Sequence, residues 1–184
     1  AAFFLCAGAL GGETEITGLS LDSRQSDRAL TDILKAFGAD IKCGSSVSVC
    51  KSELFGITVD ISQCPDLFPT LAVTACAAHG DTVFTNAARL RIKESDRIES
   101  VEKMITSLGG FAESTPDSLT VHGTGTLAGG EVNSFNDHRI VMAAAVAACI
   151  CESPVVIRDA QAVNKSYPDF FEDYKKLGGK ADVI

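Results

Sequence analysis

Residues 76–122 read CAAHGDTVFTNAARLRIKESDRIESVEKMITSLGGFAESTPDSLTVH, and the order of elements in that stretch decides the fold. Cys76-Ala77-Ala78-His79-Gly80 closes an apolar helix, and Thr82 to Thr85 reads as a short strand. A polar helix follows and stops at Leu108-Gly109-Gly110, where glycine is free to take the left-handed conformation that ends helices. Residues 111–114 and 119–122 then read as the two arms of a hairpin about Pro116-Asp117-Ser118.

The same plan recurs on either side. Upstream, an apolar helix ends at Gly11-Gly12, a strand runs from Thr14 to Gly18, a helix closes at Phe37-Gly38, and a hairpin turns at Gly44-Ser45. Downstream, a helix runs to Cys151, a strand spans Val155 to Ile157, a helix reaches Leu177-Gly178-Gly179, and a strand is expected from Lys180. The helix-ending glycines return with a period of about 70 residues. Each unit is therefore strand–helix–strand–helix–strand–strand, which gives an α/β chain of repeated βαβαββ units in one domain, residues 1–184. The units fall at about 1–51, 55–123 and 130–184, the first incomplete and the third lacking its last strand. Residue 1 falls inside an apolar helix with no cap residue, so the expectation is a piece of a longer chain.

Composition narrows the function classes. The chain has 184 residues, 46% hydrophobic and 22% charged, which is ordinary globular usage. A net charge of −8 argues against a nucleic-acid partner. The longest apolar run, Ile140 to Ile150, is too short for a bilayer of ~30 Å, so no membrane partner is expected and the location read is cytoplasmic. Seven cysteines form no Cys-x-x-Cys and sit near no histidine pair, which predicts buried, reduced thiols and neither metal nor cofactor. Gly123-Thr124-Gly125 follows a hairpin and opens no helix, so it reads as a loop.

The segment that carries chemistry is Arg91-Ile92-Lys93-Glu94-Ser95-Asp96-Arg97-Ile98. Three cations and two carboxylates gather where a helix starts. Lys93 and Arg97 share a face if the helix has begun by Lys93. Cations at a helix amino terminus oppose its dipole, and an anionic ligand would resolve that conflict. A solvated helix start capped by Ser95 or Asp96 accounts for the same residues. Two further helix starts repeat the pattern, at Asn136-Asp137-His138-Arg139 and at Lys165-Ser166-Tyr167-Pro168. Packed about a common axis, these ends meet on one face. Capping accounts for Asp137, whereas Asp66 in Cys64-Pro65-Asp66 is left open between cap and chemistry.

Pro65-Asp66, Arg91-x-Lys93-Glu94-Ser95-Asp96-Arg97, Asn136-Asp137-His138-Arg139 and Lys165-Ser166-Tyr167-Pro168, in that order and spacing, resemble the motifs of the EPSP synthase family. The resemblance covers essentially the whole chain. It implies the second of two similar domains, with helices inside and sheets outside in the enolpyruvyl transferase-type arrangement, and the active site in the cleft between the domains. It also implies that the amino-terminal half of the same enzyme is the partner, and that its extreme end supplies the strand missing from the third unit. The implied reaction, which requires no metal, adds the 5-hydroxyl of shikimate 3-phosphate to C2 of phosphoenolpyruvate with loss of phosphate, and the isolated chain is expected to be inactive.

By the same resemblance, Asp66 holds the 5-hydroxyl and is the base, and Glu94 takes part in protonating the adduct's carbon. Lys93 contacts the shikimate ligand, while Arg97, Arg139 and Lys165 bind phosphoenolpyruvate, Lys165 also serving as a proton donor. His138 is read either as a substrate contact or as a structural neighbour hydrogen-bonded to the helix end. Arg89 stands where some members have an asparagine, so neither it nor Asn86 receives that role. The family's herbicidal inhibitor is glyphosate, and the residues that tune sensitivity lie largely in the other half. A related transferase acting on UDP-N-acetylglucosamine shares fold and donor, but the Lys-Glu-Ser-Asp-Arg block favours EPSP synthase. A non-catalytic anion-binding domain built from the same repeats is the rival of another class.

Overall fold

Three helices have almost no polar side chain to offer to water. A computed structural model of the chain describes residues 1–20 and 25–184, and places these helices, α1 (Ala2–Gly11), α3 (Phe68–Cys76) and α5 (His138–Ala147), at its centre. Every residue of α3 is buried, as is every residue of α5 except Arg139. A helix that is hydrophobic all round has to be covered on all sides, and these three achieve it by packing on one another. The other helices, α2 (Leu30–Ala36), α4 (Arg97–Ser107) and α6 (Phe170–Lys176), are amphipathic and lie outside them. In α4, Ile98, Val101, Met104 and Ile105 face inward at helical spacing. Phe170 of α6 seats that helix against α1, its ring stacked at 5.5 Å on Phe4 and edge-on to Phe3.

The sheets form the outer layer. The first unit gives β1 (Glu13–Thr17), β2 (Asp40–Cys43) and β3 (Ser46–Cys50) in the order β1-β3-β2. The second gives β4 (Thr58–Asp60), β5 (Gly80–Thr85), β6 (Phe111–Thr115) and β7 (Ser118–Gly123) in the order β4-β5-β7-β6. β4 runs parallel to β5, with Val59 opposite Phe84, while β7 runs antiparallel to both β5 and β6. The third gives only β8 (Gly130–Asn133) and β9 (Val155–Arg158), a parallel pair. Alternate residues of β3 and β7 are buried, the period expected of a sheet with one face on the core. Buried side chains from all three stretches join in one cluster.

Gly109 ends α4 with φ of 83°, and Gly38 and Gly178 take φ of 97° and 95° after α2 and α6. A second left-handed position recurs where a strand leaves its sheet. Gly18 follows β1 with φ of 76°, Asn86 follows β5 with 56°, and Asp159 follows β9 with 55°. After Asn86 and Asp159 the chain enters short 3-10 turns, Ala88–Ile92 and Ala160–Lys165. These turns carry it to Lys93 and Lys165.

Three expectations change. Residues 180–184 form no strand, because a strand exists only as part of a ladder and they pair with no other strand among the described residues. Lys165 ends a 3-10 turn instead of starting the polar helix, which begins five residues later at Phe170. Of the seven free cysteines only Cys6, Cys64 and Cys76 are buried, since Cys43 and Cys149 fall on exposed positions.

On the outer face of the second sheet, His122 of β7 bridges two carboxylates across its neighbouring strands. Nδ1 lies 2.8 Å from Asp81 and Nε2 3.2 Å from Glu113, with the Phe111 ring stacked on the imidazole at 4.7 Å. The hydrogen bond to Asp81, against a smaller opposing effect of burial, raises the imidazole above its ordinary value. A raised value stabilises the fold below the unfolded value of about 6.5, and the contribution disappears as pH rises through the folded value. An NMR titration should place His122 above about 6.5, and added salt should pull it back because the carboxylates are exposed. A titration at the unperturbed value would remove the bridge from the account of this sheet.

Candidate functional site

Asp66, Lys93, Glu94, Arg97, Asp137 and Arg139 come from three separate helix starts, and the three carboxylates among them converge on the Arg97 guanidinium. Arg97, the first residue of α4, has a side chain that is 0% exposed. Its Nε donates to Asp137 Oδ2 at 2.9 Å, Nη1 to Asp66 Oδ1 at 2.9 Å, and Nη2 to Glu94 Oε2 at 2.5 Å. Asp66 also accepts from Arg139, whose Nη2 reaches Oδ2 at 2.7 Å and whose Nη1 reaches the Asp66 carbonyl at 3.1 Å. Lys93 Nζ approaches Asp66 Oδ1 at 3.8 Å. Three carboxylates face three cations within one network.

The surrounding backbone explains why these side chains point inward. Asp96 caps α4 by accepting from Glu99 N at 3.1 Å, and Arg91 ties it down through a 2.8 Å contact to the other Asp96 oxygen. Arg91 also donates to the carbonyls of Thr115 and Pro116, so it fastens the loop to the β6–β7 turn and takes no part in the network. The helix starts only at Arg97. Lys93 is in extended backbone, so it reaches Asp66 from a loop and not from the helical face shared with Arg97 that the spacing suggested. Asp66 sits in the 3-10 turn Pro65–Leu67 before α3 and makes no cap hydrogen bond, which leaves its carboxylate to the arginines.

Asp137 does cap α5, accepting from Arg139 N at 2.9 Å, but capping is only part of its work. Its second oxygen takes both Arg97 Nε and Ser95 Oγ, and the side chain is 0% exposed. Sequence reasoning stopped at the cap. The available signal was that the residue stands at the buried end of an otherwise apolar helix, where an ionised group needs a partner. A second missed residue is Asp27, half-buried within electrostatic reach of Arg139 and Asp66. Its carboxyl is raised mainly by burial, with Arg139 opposing.

Burial alone would raise the carboxyls of Asp66 and Asp137. For Asp66 the opposing charge of Arg139, then of Arg97 and Lys93, outweighs it, and for Asp137 the bond to Arg97 does so. Both stay ionised well into the acid range. His138 goes the other way, lowered by burial with Asp137 opposing, so the ring is neutral. Its Nδ1 is buried without a hydrogen bond, 3.9 Å from Asp137 Oδ1, so the expected tether to the helix end is not made. Lys165 lies beside this centre and donates to the Asn136 carbonyl. Arg89 is exposed, and Asn86 donates to Asp60 away from the network. No group of three or more His, Cys, Asp or Glu side chains among the described residues is arranged to hold a metal ion.

Removing one partner of a fully buried pair leaves an uncompensated charge, so Asp137→Asn should cost about 3–5 kcal/mol in urea unfolding. Because the folded values of Asp66 and Asp137 are depressed, their stabilisation is complete above the unfolded value of about 3.9 and is lost as pH falls through the folded values. Asp137→Asn should therefore flatten the acid limb of the stability profile. A variant as stable as the parent, with an unchanged acid limb, would contradict the central place given to this pair.

A family model described as EPSP synthase (3-phosphoshikimate 1-carboxyvinyltransferase) matches residues 1–174. The 3-phosphoshikimate 1-carboxyvinyltransferase of Clostridium novyi is 47% identical over 182 residues, covering 98% of this chain and 42% of the relative. That of Clostridioides difficile is 43% identical over 183 residues, again with 42% of the relative covered. Among solved structures, the EPSP synthase of Acinetobacter baumannii superimposes with a TM-score of 0.87 at 29% identity, over 97% of this chain and 45% of that one. The chain thus spans somewhat under half the length of the relatives it matches, and with its carboxylate–guanidinium centre built on repeated helix starts it belongs to the EPSP synthase family.

Proposed function

We propose that this chain forms one wall of an active site that transfers the enolpyruvyl group of phosphoenolpyruvate to the 5-hydroxyl of shikimate 3-phosphate. The reading is carried by the attachment of Asp66 and Glu94, the proposed base and acid, to one buried guanidinium. In the addition step the hydroxyl oxygen bonds to C2, its proton passes to Asp66, and a proton delivered with the help of Glu94 converts the methylene carbon to a methyl group. In the elimination step the methyl group gives back a proton, the C2–O bond to phosphate breaks, and phosphate leaves. Lys93 holds the shikimate ligand, with His138 lining the site. Arg97, Arg139 and Lys165 receive the donor's carboxylate and phosphate, for which arginine's planar fork is well shaped, and Lys165 also acts as a proton donor.

The resting network constrains how this begins. Arg97 has no exposed surface, and Glu94, 41% exposed, is the movable group that covers one of its donors. A donor carboxylate that takes the Nη2 position releases Glu94. Released from the arginine, Glu94 is free to turn toward the methylene carbon, where a proton has to be delivered. Asp66, held low by its arginines, becomes more basic as it loses an arginine bond. Because three carboxylates already balance three cations, binding of two polyanions calls for further cations. The amino-terminal half of the enzyme is the proposed source and the proposed partner of this face. The active assembly is proposed to be cytoplasmic; no helix among the described residues is long and apolar enough to cross a membrane.

The test is reassembly with an amino-terminal half, followed by measurement of phosphate release. Turnover is expected from the pair and none from this chain alone, and a stable, correctly assembled pair that releases no phosphate would overturn the reading. Within an active pair, Asp66→Ala and Glu94→Gln should each lower kcat by roughly 10²–10⁴-fold, the usual contribution of a positioned acid or base. Thermal stabilisation by shikimate 3-phosphate, and none by a UDP-sugar, separates this reading from the related transferase.

A further inference from the structure

The crossing from β8 into α5 adopts a conformation that its residues resist. Phe135 and Asn136 are successive left-handed residues, with φ of 51° and 55°, and neither is a glycine. Such a turn persists only where its surroundings hold it. Here Ser134, fully buried, is the hub: its N–H donates to Arg158 O at 3.2 Å, and its carbonyl accepts from Asp137 N at 2.9 Å. Its Oγ donates to Asp159 O and accepts from Asn136 N, both at 3.2 Å. Phe135 N donates to Asn133 Oδ1 at 2.6 Å, and the Phe135 ring lies beneath the Lys103 ammonium, 5.9 Å from its centre.

The product of this arrangement is the direction of one carbonyl. Asn136 O accepts from Lys165 Nζ at 2.5 Å. Lys165 ends the 3-10 turn that starts after left-handed Asp159, the residue to which Ser134 is bonded. Ser134, Asp159, Lys165 and Asn136 thus form a closed ring, and the next residue, Asp137, is the buried partner of Arg97. The Asn136 side chain makes no hydrogen bond among the described residues. An asparagine is explained there by its tolerance of a left-handed backbone, not by what its amide touches.

We propose that the left-handed pair Phe135–Asn136 is a positioning device, whose carbonyl seats the Lys165 ammonium beside the Arg97 centre so that it meets the anionic end of phosphoenolpyruvate. A helix start needs only Asp137; the strained pair before it is explained by the lysine it aims. The assignment rests on the function proposed above, so its test has one arm that reads the clamp and another that reads the reaction.

A graded series at Asn136 supplies both. Gly and Asp accept a left-handed backbone, Ala resists it, and the β-branched Val resists it most. In the chain itself, ¹⁵N NMR of the lysine ammonium groups should show an ordered Lys165 in the parent, Asn136→Gly and Asn136→Asp, and a released one in Asn136→Ala and Asn136→Val. In the reassembled enzyme, KM for phosphoenolpyruvate should rise about tenfold or more for Asn136→Val and less for Asn136→Ala, with KM for shikimate 3-phosphate changing less than about twofold. Asn136→Gly and Asn136→Asp should recover most of the donor affinity. If Val prevents folding, Ala reads the same effect in a milder form. An ordered Lys165 throughout the series, or equal changes in both KM values, would overturn the proposal. A released Lys165 in an enzyme with no activity toward these substrates would overturn the assigned reaction and leave the clamp standing.

Discussion

Everything in this domain is arranged around the removal of the Arg97 guanidinium from water. A buried cation is strongly disfavoured unless its hydrogen bonds are met, and Arg97 is the only buried cation among the described residues. Three carboxylates meet them, one before each of α3, α4 and α5. No single segment is able to satisfy the group alone. The helix starts therefore have to converge, and the apolar bodies of α3 and α5, which share one core with α1, allow them to do so. The interaction that organises the fold is also the one that organises the site.

This changes the meaning of a cation at a helix amino terminus. Read along the chain, Arg97 and Arg139 are misplaced against the dipole and call for an external anion. In the folded protein that request is already answered from within, by Asp66, Glu94 and Asp137. In the proposed reaction a ligand anion enters by exchange, not by filling an empty positive socket. Such exchange ties substrate binding to the release of Glu94, the group proposed to take part in proton delivery.

Much of the architecture was legible because it is written in local chemistry. Left-handed glycines at 38, 109 and 178 mark helix ends, and the all-apolar helices announce their burial. The Lys-Glu-Ser-Asp-Arg block marked the segment whose arginine meets Asp66 and Asp137. What remained hidden depended on distance in sequence. Asp137 looked like a cap because its partner, Arg97, is 40 residues away, and Arg91 looked like one more cation until the β6–β7 turn was seen to accept its hydrogen bonds. The strand expected from Lys180 needed a ladder partner, a requirement that no local pattern expresses. Lys165 was assigned to the wrong element because a 3-10 turn and the first turn of an α-helix have nearly the same pattern over so few residues.

The two-stranded sheet of the third unit has a consequence for how the molecule opens. β5 is flanked on both sides, whereas among the described residues β8 and β9 have only each other. A lone strand pair has little cooperativity of its own, and local opening is drawn from the least supported parts of a structure. Amide protons of Val155–Arg158 should therefore exchange with solvent ahead of those in β5 and β7. The Ser134–Asp159 ring hangs from that sheet, so Lys165, the proposed donor contact, belongs to a sector of this chain that opens more readily than β5 and β7. Asp66 and Glu94, the proposed base and acid, are instead anchored on the fully buried Arg97. The proposed grip and the proposed chemistry then have separate mechanical lifetimes within one small domain.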